Sequence, residues 1–384
     1  PLDIIDGIDA DSLVAKRTDN LMQSSMTDRI ERATRREYPN GISAFGTDAL
    51  RFTFCAIATS SRTIKFDLHR VEGYRNFCNK LWNASRFVLM NLDDYDGTCE
   101  LDAKIKLPAA HRWILSRLNV ACDEVHNALE EFKFNDAAST IYRFIWNEYC
   151  DWFIELSKPH LNGGEDRKAT QNVLVHVLEL SLRLLHPFMP FITEEIRSKL
   201  PAGDRSLMTT PFPLFDKSKS DPEAEKTFST VINVISSVRN IRGEMNLNPG
   251  LNLDLLVRTK QPEQVEILRL NSLYINTLAR VKLVDFGPKV TKPEVSASSV
   301  WDGMDIFVPL KGKMDFAEEK KRIEKELKKI EKDTIVLDKK LSNRNFIDKA
   351  PPEVIEKDNQ RRHALSEKQT RLSVHLETIN QALS

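Results

Sequence analysis

The chain has 384 residues, 41% hydrophobic and 29% charged, which supplies the apolar content for two to four cored domains. Its 56 basic and 56 acidic side chains cancel, so bulk charge does not attract a nucleic acid and any such partner must meet local patches. Five widely spaced cysteines without a CxxC pair (Cys55, Cys78, Cys99, Cys122 and Cys150) argue against a zinc ribbon or disulfide framework, and no apolar run reaches the ~18 residues that cross a bilayer, so a cytoplasmic protein without a membrane partner is expected.

Residues 1–67 mix short apolar runs with turn signals at Pro39–Gly41 and Gly46, followed by a helix from Thr47 to about Thr59. Arg29, Arg32, Arg35 and Arg36 form a basic stretch, either a solvated helix face or a phosphate contact. From 68 to 200 the pattern is helical: Ile114, Leu118, Val125, Leu129 and Phe132 recur at helical spacing, as do Ile141, Ile145, Tyr149, Trp152 and Leu156, with Pro159 expected to stop that helix. A third helix carries Leu174 to Leu185 and ends at His186-Pro187, and a shorter one follows from about Phe191 to Leu200. Several antiparallel helices with short connections make a bundle.

Residues 201–224, rich in Pro, Ser, Lys and Asp, read as a linker. Residues 225–310 change period. A helix through Phe228, Ile232, Ile235 and Val238 ends at Asn248-Pro249-Gly250, and Leu251 to Val257 alternate as a strand. A helix over Pro262 to Ala279, a strand from Val281 to Phe286 and a hairpin turning at Asp302-Gly303 complete a small α/β domain. In 311–384, Phe316, Ile323, Ile330 and Leu337 repeat every seven residues, and Leu365, Leu372 and Ile379 repeat after a break, with Leu327, Leu341, Leu376 and Leu383 interleaved. Two such helices joined by Asn343 to Pro352 form an antiparallel coiled-coil hairpin, because Pro351 and Pro352 cannot continue the first helix but suit the start of the second.

Catalytic signatures are missing: there is no GxxxxGK[ST], GxGxxG, HExxH or GxSxG. His176 and His186 read as packed histidines, Asp151 and Glu155 as structural ion-pair partners, and Asn162 to Gly164 as a helix stop. Binding is better supported. His69, Asn76, Lys80 and Phe87 share one helix face beside the apolar stripe of Phe77, Leu81 and Val88. A base of a splayed single strand can stack on Phe87 while Lys80 and Arg86 meet phosphates or base edges, unless Phe87 is simply core.

The run Gly46 to Phe54 (GTDALRFTF), then Phe66-Asp67, then Gly73 to Asn91 (GYRNFCNKLWNASRFVLMN) resembles the segment after the catalytic domain of class I aminoacyl-tRNA synthetases, in the valyl branch. Further matches lie at Arg112 to Leu115, 141–159, Leu184 to Glu195 (LLHPFMPFITEE), 238–250 and 345–357. The resemblance implies a mainly α chain: a stem-contact junction (1–67), an anticodon-binding bundle (68–200), a linker (201–224), a small α/β domain (225–310) and a coiled-coil arm (311–384). It implies that Lys80, Arg86 and Phe87, with Asn76 and with His69 or Arg70 as the basic residue, read the A and C of the valine anticodon. Arg239 and Arg242 match a valyl motif and serve as phosphate contacts or ion pairs. At the arm's tip it implies that Arg344 and Lys349, beside an exposed Phe346 and Ile347, brace the outer corner of the tRNA; residues 311–384 hold 18 Lys and Arg against 14 Asp and Glu.

The HIGH and KMSKS elements that hold ATP and magnesium, and the valyl editing domain, do not occur in the chain. It opens at Pro1 rather than Met, in wording similar to that just after KMSKS. The expectation is therefore a tRNA-binding part without its own catalytic site or cofactor, whose partners are tRNA(Val) and the catalytic and editing domains of the same enzyme. An isoleucyl or leucyl counterpart, or a coiled-coil interaction protein without RNA binding, are the other readings. Two departures stand out: Arg197 occupies a position where many relatives carry Trp, implying altered packing, and 9–40 resembles a lineage-specific insertion.

Overall fold

The computed structural model describes residues 1–59, 63–64, 66–96, 107–163, 166–201, 205–313, 315–343, 346 and 352–383. The chain divides into two units, 1–228 and 229–384, and is mainly α-helical with one small mixed sheet.

In the first unit, α1 (Leu2–Ile5), α2 (Ala10–Thr18) and α3 (Thr27–Glu37) precede α4 (Thr47–Ile57). Residues 9–40 thus hold a helix pair: α2 and α3 pack on each other, and Arg35 of α3 reaches Asp11 at 2.8 Å. Gly46 enters α4 at φ 82°, a left-handed turn that a side chain would strain. Buried Asp48 of α4 accepts the N–H groups of Phe191 and Ile192, the first turn of α10 (Pro190–Arg197), where orphan donors collect. Burial pushes its carboxyl upward, and those donors pull the other way. Arg51 donates to the carbonyls of Pro187 and Phe188, so α4 holds the corner between α9 (Arg167–Leu185) and α10.

The long α5 (Leu68–Leu89) starts where Asp67 accepts the His69 N–H, and it buries Val71, Phe77, Leu81 and Val88. Across from it run α6 (Ala109–Glu130) and a continuous helix from Phe134 to Leu161: α7 (Phe134–Arg143), a π-helical segment (Phe144–Phe153) and α8 (Ile154–Leu161). Ile141, Ile145, Tyr149 and Leu156 are buried as their spacing requires. Pro159 does not stop this helix. It removes one donor in the last turn, and the helix ends two residues later. Phe132 is not on the α6 face either: it lies beyond the helix end at φ 57° and is 80% exposed, because the Lys133 N–H folds back to the Ala128 carbonyl.

The described part of 201–224 is strapped to the bundle, unlike a free linker. Asn119 of α6 both donates to and accepts from the Asp216 backbone, Ser116 accepts the Asp221 N–H, and Arg112 pairs with Asp221 at 2.6 Å. The Pro, Ser and Asp content expected of a linker is used for caps and turns. Helix α11 (Pro222–Glu244) follows.

The sheet of the second unit has the order β2-β1-β4-β3, with β1 (Leu253–Arg258) parallel to β2 (Val281–Gly287) and antiparallel to β4 (Met304–Pro309). Strands β3 (Ser296–Trp301) and β4 form the expected hairpin, with Asp302 at φ 46° and Gly303 at φ 73°, the paired positive angles of its tight turn. The helix expected over 262–279 is two, α12 (Pro262–Leu270) and α13 (Ser272–Ala279), parted at Asn271, whose amide donates to the Ile267 carbonyl.

Finally α14 (Phe316–Leu341) and α15 (Pro352–Leu383) pack along the heptad positions, with Ile323, Ile330, Leu372 and Ile379 buried and Phe316, Leu327, Leu365 and Leu376 against them. Asp315 caps α14 by accepting the Ala317 and Glu318 N–H groups, and Lys368–Glu326 (2.6 Å) and Lys340–Asp358 (2.7 Å) flank the seam.

Candidate nucleic-acid interface

Helix α5 presents the face its spacing implies. The His69 side chain is 90% exposed, 4.0 Å from Glu72. Arg70, Asn76 and Arg86 are exposed, and among the described residues Asn76 and Arg86 make no side-chain hydrogen bond or ion pair. Arg86 precedes Phe87 and therefore points about 100° away from the shared face.

Lys80 and Phe87 are neither free nor core. The Lys80 ammonium lies 2.5 Å from Asp151 Oδ1 and 3.9 Å from the Trp146 ring centroid, both partners on the π segment. Phe87 is half-buried, its ring 5.8 Å from the Lys158 ammonium, which pairs with Glu155 at 2.6 Å. Asp151 and Glu155 are thus ion-pair partners, as their residue types imply. Behind them Tyr142 stacks on Trp146 at 5.5 Å, and Phe77 lies 4.9 Å from Tyr142, so an aromatic wall supports the polar surface.

Trp146 is the residue that sequence reasoning missed. Its spacing from Asp151 is five, which in an α-helix separates two side chains by about 140°. The π segment, with its i→i+5 hydrogen bonds, brings them to nearly the same side. No composition signal marks that change of pitch.

Arg239 and Arg242 stand elsewhere. Arg242 is buried and donates to the carbonyls of Ala279, Arg280 and Asn248; Arg239 is exposed and donates to Leu278. The expectation of a phosphate contact or an ion pair at Arg242 gives way to a third role, that of supplying donors to carbonyls orphaned at the end of α13 and in the turn after α11. At the hairpin tip, Phe346 is half-buried under the Lys340 ammonium at 4.7 Å rather than exposed, since a cation satisfies its ring face. Arg344, Ile347 and Lys349 lie outside the described residues. On α3, Arg29, Arg32 and Arg36 are exposed, while Arg35 is tied to Glu31 and Asp11.

Among the described residues no cluster of His, Cys, Asp and Glu could hold a metal, no cysteine is in a disulfide, and no helix is long and apolar enough to cross a membrane. Cys99 falls outside them. The buried Arg197 sits 3.5 Å from the buried Glu179, which also pairs with Arg183, so Arg197 belongs to a charge network at the bundle end.

Residues 111–257 match the family model of the anticodon-binding domain of tRNA ligase, and residues 315–380 that of the valyl tRNA synthetase tRNA binding arm. The chain is 46% identical to the valine–tRNA ligase of Acinetobacter baylyi over 366 residues, which is 93% of this chain and 37% of that protein. It is 42% identical to that of Legionella pneumophila over 366 residues, 93% of this chain and 40% of the relative. The chain thus spans about two-fifths of the length of these relatives. Among solved structures, a ternary complex of an Agrobacterium radiobacter LeuRS aligns at a TM-score of 0.37 and 23% identity, covering 46% of this chain and 20% of that one. Helix α5 lies outside both matched ranges, but the residues that hold its polar face (Trp146, Asp151 and Lys158) lie within the first.

Proposed function

Since the chain belongs to the valyl-tRNA synthetase family, we propose that it is the tRNA-holding C-terminal part of a cytoplasmic valine–tRNA ligase. In this reading the bundle recognises the anticodon of tRNA(Val) and the coiled-coil hairpin braces the tRNA. Valine activation, with its ATP and magnesium, and editing belong to other parts of the longer enzyme, so this chain alone charges nothing. Its contribution to catalysis is binding energy from remote parts of the substrate that positions the reacting end.

The observation that carries the reading is the α5 surface. An aromatic ring, a buttressed lysine and the exposed polar side chains of His69 and Asn76 line one side of a helix docked on the residues that match the anticodon-binding model. Stacking beside polar groups suits unstacked bases. A coiled-coil interaction protein without RNA binding is not favoured, because both matched models are tRNA-binding domains.

The test is binding of the chain to tRNA(Val), unaltered and with the anticodon A or C replaced, at two salt concentrations. Expected is a loss of roughly 1–3 kcal/mol per replaced base. Equal, steeply salt-dependent binding to all variants would leave only phosphate contacts and refute anticodon reading by this chain.

A further inference from the structure

We propose that Asp151 determines specificity: paired with Lys80, it takes the edge of a nucleobase carrying an exocyclic amine, as cytosine and adenine do, rather than a phosphate. The proposal deepens the anticodon reading above and rests on it.

A lysine alone on this surface would be a point charge for any phosphate. Here its ammonium is 2.5 Å from a carboxylate, so an approaching phosphate meets a neutralised pair with an anionic oxygen beside it. A base edge meets no such repulsion. The ammonium has three donors, of which Asp151 takes one. Asp151 Oδ2 accepts no hydrogen bond among the described residues, and its side chain is 48% exposed. A donor and an acceptor therefore stand side by side, the Lys80 side chain 23% exposed and the carboxylate half exposed, and a carboxylate is the group that accepts from an exocyclic amine.

The pair is also rigidly built. Trp146 holds the ammonium from below at 3.9 Å and is itself stacked on Tyr142. The π segment puts Trp146 and Asp151 on one side, and such segments recur at functional sites. A simple structural ion pair needs neither the aromatic seat nor the irregular helix. Phe87 lies on the same face of α5, about 10 Å along its axis, within reach of the neighbouring nucleotide of an unstacked loop.

The experiment measures binding of the full chain to tRNA(Val) and to forms with the anticodon A or C replaced by U, across a salt series. It compares the wild type, Asp151→Ala and Lys80→Met, each first checked for unchanged helicity. For Asp151→Ala, discrimination against one replaced base should fall on the order of tenfold. Its log–log salt slope should steepen by about 0.7, because the freed lysine gains a phosphate. For Lys80→Met, discrimination should fall at an unchanged slope. Unchanged discrimination in Asp151→Ala, a slope shallower by about one in Lys80→Met, or uniform weakening at constant slope in Asp151→Ala would each overturn the proposal. A wild type that itself fails to discriminate would refute the anticodon reading, and this inference with it, whatever the variants do.

Discussion

Arg242 is a side chain whose role is set by burial rather than by its place in a motif. Its guanidinium supplies donors to three carbonyls, so removing it leaves buried acceptors without partners. Arg242→Ala should cost the second unit about 3 kcal/mol in urea unfolding, whereas Arg239→Ala, at an exposed position, should cost less than about 1 kcal/mol. Neither should change the salt slope of tRNA binding if both are structural. His111 makes a parallel case in the bundle. Its Nε2 is 2.9 Å from the Thr170 hydroxyl, its Nδ1 is buried without a partner, and burial, with the charge of His160 second, pushes its pKa down to about 3. The folded value lies below the unfolded one near 6.5, so the unfolded chain takes a proton that the folded chain refuses. Stability is therefore flat above about pH 6.5 and falls as pH drops towards 3. Between pH 7 and pH 5 this group should remove about 2 kcal/mol from the first unit, and His111→Gln should flatten that part of the dependence. Urea midpoints read by tryptophan fluorescence, which Trp82, Trp113, Trp146 and Trp152 report for this unit, would check it.

Among the elements, the coiled-coil hairpin owes its stability to a single seam. Ile330 is 3% exposed in that seam, and a two-helix core cannot collapse around a missing side chain by recruiting a third layer. Ile330→Ala should therefore cost about 3 kcal/mol, seen as lost helicity from α14 and α15 at a lower temperature than the rest of the chain. This element is legible in the sequence because a heptad repeat and a pair of prolines leave one geometry that buries Ile323, Ile330, Leu337, Leu372 and Ile379 together. The Asp302-Gly303 hairpin is legible for a similar reason: few residues accept two successive positive φ angles. The π segment is not. Phe144 to Phe153 has the composition and the buried Ile145 and Tyr149 of an ordinary helix, and no local pattern marks its change of pitch where it packs on α5 and α6. That is why spacing alone places Lys80 and Phe87 on one face but does not reveal the seat under Lys80. The strap over 205–221 is hidden for another reason, because caps and turns use the same residues as flexible linkers.

For the whole molecule, zero net charge is the governing fact. A chain with no bulk attraction for RNA must divide its binding between surfaces that read bases and surfaces that gather phosphates, and the two respond differently to salt. In the proposed reading the α5 surface answers the first description, since its central lysine is neutralised by Asp151. In the same reading the hairpin answers the second. Lys325, Lys328, Lys329 and Lys332 are exposed along one stretch of α14, and none of them is in an ion pair or hydrogen bond among the described residues. Replacing these four by Gln should weaken binding of every tRNA variant alike and make the salt dependence shallower, by about 0.7 to 0.9 for each phosphate that the hairpin no longer neutralises. The ratio of affinities for tRNA(Val) and its anticodon-replaced forms should stay within about twofold of the wild type, since phosphate contacts position without specifying. A fall in that ratio would mean that the hairpin takes part in base discrimination, and the division of labour between the two surfaces would have to be abandoned. An unchanged salt slope would mean that these lysines do not meet RNA, and the phosphate contacts would then have to be sought at the exposed arginines of α3, Arg29, Arg32 and Arg36.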